Sequence, residues 1–150
     1  MQYFEDIVVG DAKESPDSYE LTAEEIVEFC TKWDPLPFHI DERVAEQTPV
    51  GKLFTSAIHT VAIAIRLGHQ LQAEQTATAM GLGWDEVRFH APARAGDRLR
   101  LRGEVIDTRV SKGNPALGIV RSLLSVTNQD GDTVITFKAA ALIRRRPQQA

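Results

Sequence analysis

A carboxylate and an imidazole stand five residues apart at Asp34 and His39, with Pro35 and Pro37 between them. The prolines fix φ at two intervening positions and lower the entropy of the segment before anything binds. A pre-set Asp/His pair can hold one water in a defined place and move its proton. The spacing alone does not make the two side chains converge. The same residues also read as the C-terminal cap region of a helix, at Asp34, and a part-exposed loop histidine, at His39.

The other polar candidates are weaker. His59 lies one turn into an apolar segment, where a buried histidine is satisfied by a neighbouring carbonyl or else faces a pocket or an interface. His69 reads as surface or interface, and His90, just before Pro92, as a marginal pocket residue. Four histidines without ligand spacing give no metal site, and no redox cofactor is implied. Arg98, Arg100 and Arg102 form a basic stripe, most simply a solvated face, although one of them could meet a nucleotide phosphate. Trp33 and Trp84 are expected as core or interface anchors. Cys30 is expected as inert core.

These side chains need a scaffold. Thr22 to Glu25 fits a capping box, with Thr22 as N-cap and Glu25 reaching back to its amide. Ile26, Phe29, Cys30 and Trp33 then recur at helical spacing, and Pro35 stops that helix near Trp33. A loop stiffened by its two prolines follows. Asp41 can cap a short helix over residues 42–46, and Thr48 to Lys52 breaks it. From about Ser56 to Gln72 the chain is helical again and apolar nearly all round, which places it inside something. The period then changes to two. Strands are expected over residues 84–89, 98–110, 119–127 and 133–144, with an Asp130-Gly131 hairpin between the last two. Leu99, Leu101, Gly103 and Val105 should line one face of the second of these strands. The arginine-rich tail, residues 144–150, is expected as a solvated end. Helices first and an antiparallel meander second favour an α+β fold, a sheet curled round a buried helix.

Composition narrows the classes of function. At 150 residues the chain fits one domain, 1–150, able to bury about 70% of its unfolded surface. The net charge of −4 argues against a nucleic-acid partner. One cysteine and no long apolar run suit a cytoplasmic protein with no membrane span.

The segment Asp34-Pro35-Leu36-Pro37-Phe38-His39, with the stretch that follows through Leu67, resembles the MaoC-like dehydratases, the (R)-specific enoyl-CoA hydratases. Asp34, Pro37 and His39 match that family's Asp-x-Asn-Pro-x-His signature. The similarity runs through the strand–turn–strand around residues 87–105 and the closing hairpin, so it covers about residues 3–146. Leu36 stands where the signature has Asn, and Ala57 where the family has Gly at the start of its central helix.

The resemblance implies the hotdog fold, a curved antiparallel sheet wrapped around a long central helix, assembled as a homodimer or a higher homo-oligomer. It also implies a hydratase or dehydratase, acting on a trans-2-enoyl thioester of CoA or of acyl carrier protein. Asp34 and His39 would hold the water. Ser56 and Ala57, at the helix start, would bind the thioester, with the Ala57 amide facing its oxygen. Two other readings remain: a hotdog acyl-CoA thioesterase, and a non-catalytic acyl-CoA-binding subunit of a heteromeric hydratase.

Overall fold

The computed structural model describes residues 1–71 and 75–147. After a 3-10 turn at Phe4–Asp6 come two short strands, β1 (Ala12–Glu14) and β2 (Tyr19–Glu20). Four helices follow: α1 (Ala23–Trp33), α2 (Pro37–Ile40), α3 (Glu42–Glu46) and α4 (Ala57–Gly68). Four long strands close the chain: β3 (Thr78–Phe89), β4 (Arg98–Val110), β5 (Leu117–Thr127) and β6 (Thr133–Arg144). The sheet runs β1-β4-β5-β6-β3, with β2 also on β4, and every strand pair is antiparallel. This is the expected α+β architecture.

The core forms where α4 lies on the sheet. Val61, Ile63, Ala64 and Leu67 of α4 are buried in one cluster with Leu99, Leu101, Val126, Ile135 and Phe137 of the sheet. α1 closes the other side with Ile26 and Cys30, so Cys30 is core as expected. The last turn of α1 runs out beyond this core. Trp33 there is 59% exposed, and Trp84, on the edge strand β3, is 53% exposed. Neither tryptophan is a core anchor, although Trp84 keeps an edge contact with Phe137, ring centroids 6.0 Å apart.

Alternation along β4 holds for Leu99, Leu101 and Gly103, which are buried between exposed arginines. It lapses at the irregularity between Val105 and Asp107, where an extra residue shifts the pairing. β3 begins six residues before the expected Trp84. Gly81 and Gly83 do not end the strand, because they fall at one of its bulges, where glycine is tolerated. At the β5–β6 hairpin the Asn128 carboxamide oxygen accepts the Asp130 and Asp132 amides, both at 3.0 Å. Gly131 takes φ 80 there, the left-handed region that favours glycine.

α4 is shorter than expected at its end. It stops at Gly68, with His69 as its cap, and Gln72 lies outside the described residues. The arginine tail is exposed at Arg144 and Arg146, as expected, and it is also paired at the surface. Arg145 Nε donates to Glu5 at 2.9 Å and Arg146 Nη2 to Asp6 at 2.7 Å, tying the C-terminal strand to the first turn. Residues 148–150 lie outside the described residues. Among the described residues no helix is long and apolar enough to cross a membrane.

Candidate active site

α1 ends because Pro35 bars Asp34 from helical geometry. Asp34 takes φ −155, while its amide still donates to the Cys30 carbonyl at 2.9 Å. The Asp34 carbonyl then accepts the Leu36 amide at 2.8 Å, which folds the chain back. The segment is not a loop throughout. Pro37 occupies the first position of α2, where its fixed φ suits a helix and its missing N–H costs nothing. That single turn carries His39 inward, to 5% exposure.

Three contacts orient the His39 ring. Phe38 and Phe54 meet it edge-on, with centroids 4.6 Å and 5.0 Å away. The third is a hydrogen bond at 2.8 Å between Nδ1 and the Phe54 carbonyl. A carbonyl only accepts, so Nδ1 carries the proton. In the neutral ring Nε2 is then left with its lone pair. It faces Asp34 Oδ2 across 3.7 Å, beyond a direct hydrogen bond, and the Asp34 side chain is one-third exposed. With the ring neutral, two acceptors thus face each other, the imidazole deeply buried and the carboxylate part-exposed.

The Phe54 carbonyl is available for a structural reason. Its neighbours are used on the opposite side: Leu53 accepts the Ala95 amide at 2.9 Å, and the Thr55 amide donates to Ala93 at 2.8 Å. In an extended chain successive groups alternate, so the Phe54 carbonyl points the other way, toward His39. Three residues later α4 begins, so its start lies within about 11 Å of Phe54 along the chain.

Ser56 is the N-cap of α4. Its buried hydroxyl accepts the His59 amide at 3.3 Å, and its carbonyl accepts from Thr60. The Ser56 oxygen thus caps the helix, while its O–H keeps its donor capacity. Ala57, next in line, is exposed at the first turn, where helix amides lack intrahelical acceptors. An apolar cavity of about 270 Å³ lies at the other end of α4, lined by Gly68, Leu71, Gly103, Leu124 and Ile143. It is about 17 Å further along the helix than Ala57.

The remaining candidates disperse. His90 sits exposed and shares a hydrogen bond with Thr136 at 2.8 Å. Arg102 pairs with Glu104 at 2.8 Å, and Arg100 donates to the Ser15 and Pro16 carbonyls. Among the described residues no three His, Cys, Asp or Glu side chains group as a metal site would need.

Sequence reasoning missed a polar cluster around His59. Thr22 caps α1 as expected, accepting the Glu25 amide at 3.2 Å. The Glu25 side chain, however, does not reach back to Thr22. Oε1 accepts from Tyr19 and lies 3.3 Å from His59 Nε2. His59 Nδ1 lies 2.5 Å from Thr55 Oγ1, which is also 3.5 Å from Cys30 Sγ, and Phe29 stacks on the His59 ring at 4.1 Å. His59 is thus satisfied by side chains rather than by a carbonyl. Burial holds its pKa below the usual value, partly offset by Glu25. Burial, with the Glu25 carboxylate second, pushes Tyr19 up to about 12. The spacing of residues 19, 25, 55 and 59 carried no signal, because they come from three separate elements and the segment before α4.

Comparisons with known proteins agree with this architecture. Residues 6–128 match the family model described as the MaoC like domain. Over 70 residues the chain is 37% identical to a mesaconyl-CoA hydratase of Haloarcula hispanica. That match spans 46% of this chain and 20% of the hydratase, so the chain corresponds to a small part of that protein. The crystal structure of a MaoC-like dehydratase from Rhodospirillum rubrum superposes with a TM-score of 0.89 at 33% identity, covering 98% of this chain and 99% of that one. A Mycobacterium tuberculosis protein with a double hotdog fold shares the architecture at 17% identity and a TM-score of 0.82, covering 99% of this chain and 46% of that one. The fold is a hotdog.

Proposed function

The chain belongs to the MaoC-like domain family, and from that premise we propose that it adds water to, or removes it from, a trans-2-enoyl-CoA. Family membership supports hydratase or dehydratase chemistry on acyl-CoA thioesters in general. The Asp34/His39 geometry supports the specific assignment. The observation that carries it is the 3.7 Å gap between His39 Nε2 and Asp34 Oδ2, with the Nδ1–H directed away to Phe54. Both facing atoms accept, so a water can donate to each of them.

In the hydration direction the water oxygen bonds to C3 as the Asp34/His39 pair takes one of its protons. The C2=C3 electron pair moves toward the thioester, and the pair returns a proton to C2 on the same face. The sum is one water added across one double bond. Acid–base help of this kind is worth about 10²–10⁴-fold. The two groups act on one water. Charge developing on the thioester oxygen is met by the start of α4, whose free amides and positive dipole end are presented at Ala57. Ser56 caps that helix and, with Ala57, would bind the thioester at the same end.

The working unit in this reading is a homodimer of single domains, residues 1–150. Ile58 and Ile65 share one face of α4, and Met80, Leu82 and Trp84 line the open edge strand β3. All five are exposed. A second copy would cover this apolar surface and pair the edge.

The test is loss of enoyl absorbance with short, long and branched trans-2-enoyl-CoAs, on the wild type beside Asp34→Asn and His39→Gln. Both variants should lose about 10²-fold or more in kcat with fold and assembly kept. Full activity in either would remove the pair from the mechanism. No turnover on any enoyl-CoA, with thiol released from saturated acyl-CoAs, would replace hydration by thioester hydrolysis.

A further inference from the structure

We propose that His59 is a positioning residue for the Asp34/His39 pair, acting through Thr55 and the Phe54 carbonyl. The proposal rests on the hydration reading above and extends it to a cluster that touches neither water nor substrate.

The proton positions in the cluster follow from chemistry. The Glu25 carboxylate only accepts, so Tyr19 O–H and His59 Nε2–H both donate to it. The His59 ring is buried, which disfavours its charged form, and in the neutral ring Nδ1 is an acceptor. The Thr55 hydroxyl at 2.5 Å therefore donates to His59, and its own lone pair is left for the Cys30 thiol at 3.5 Å. Every proton in the chain from Cys30 to Glu25 has one direction. The charged and titratable groups facing this network are Glu25 and Cys30 from α1, Tyr19 from β2 and Arg66 from α4, the last acting on Tyr19.

The network ends on the residue that aims the Phe54 carbonyl. Thr55 is held by its amide on Ala93 and by its side chain on His59. These two bonds set the peptide plane between Phe54 and Thr55, and that plane carries the oxygen accepting His39 Nδ1–H at 2.8 Å. If Thr55 rotates, the carbonyl turns away, and His39 loses the partner that fixes its tautomer. Nε2 then carries the proton part of the time and cannot accept one from water. This arrangement also accounts for Glu25: its reach to His59 in place of Thr22 ties the first turn of α1 to α4.

Substitutions separate the two ends of His59. Asn places an acceptor where Nδ1 was and keeps the Thr55 bond. Gln places a donor near Nε2 and keeps the Glu25 bond instead. The experiment is ¹⁵N-histidine NMR of the dimeric wild type, His59→Asn, His59→Gln, Thr55→Ser and Thr55→Val. The His39 signals are identified by their loss in His39→Gln, and kcat and KM on a trans-2-enoyl-CoA are measured alongside.

Wild type, His59→Asn and Thr55→Ser should show His39 protonated at Nδ1, with kcat within about twofold of one another. His59→Gln and Thr55→Val should show a mixture of His39 tautomers, with kcat about tenfold lower and KM unchanged, the scale of one lost hydrogen bond. An unchanged His39 tautomer in Gln and Val would overturn the proposal. So would equal losses in all four variants, which mark a merely structural role, or a tautomer change without a change in kcat. A wild type inactive on every enoyl-CoA would defeat the hydration reading, and the tautomer comparison alone would then decide whether His59 orients His39.

Discussion

Glu25 Oε1 lies 3.3 Å from His59 Nε2, joining the first turn of α1 to the first turn of α4 with a part-exposed carboxylate and a buried imidazole. Burial lowers the His59 pKa and the carboxylate offsets only part of that. Below the usual value near 6.5 the unfolded chain binds a proton that the folded chain resists. The associated stability is complete above that value and is lost as the pH falls toward the folded value. Denaturant midpoints should therefore fall between about pH 7.5 and about pH 5.5, and fall less steeply in His59→Asn. Equal slopes in the two proteins would mean that other groups carry the dependence.

Leu36 is the N-cap of α2, with φ −67 and ψ 136, and it supplies no side-chain cap. Its side chain is exposed, so replacing it loses little burial. Leu36→Asn puts a carboxamide oxygen within reach of the Phe38 amide, since Pro37 has none and the His39 amide already donates to the Leu36 carbonyl. The expected gain is about 1 kcal/mol in urea unfolding. A loss of stability would show that the Leu36 side chain packs against something that outweighs the cap.

Phe4 lies against the backbone of β5. A Cβ at Gly118 would stand 2.0 Å from Phe4 Cδ2 and 2.3 Å from Cε2, so Gly118→Ala must push the ring aside. Overpacking of this kind costs about 1–3 kcal/mol. Phe4→Ala should lose its own packing. The double variant should cost less than the two single costs added, because the clash is gone. Additive costs would separate the ring from residue 118.

Much of the scaffold was legible because its causes are local. Alternation of Leu99 and Leu101 with the arginines fixes β4, Asp130-Gly131 fixes the hairpin, and Thr22, Asp41 and Ser56 are caps whose oxygens accept amides within three residues. The register shifts inside β3 and β4 were not legible, because a bulge is decided by what lies opposite. The tryptophans read as core or interface anchors by type, and position kept both out of the core, one at a helix end and one on an edge.

At the site the division is sharper. The sequence by itself determined that Asp34 and His39 sit on a chain bent by two prolines and that a capped apolar helix begins at Ser56, since backbone preferences act over a few residues. Only the tertiary structure decided that His39 turns Nδ1 to Phe54 and Nε2 to Asp34. It alone also decided that Glu25 leaves its own helix cap for His59. Those choices belong to groups 15 and 34 residues apart. They are settled by which acceptors the packed core brings within hydrogen-bond distance, and no local pattern encodes that distance.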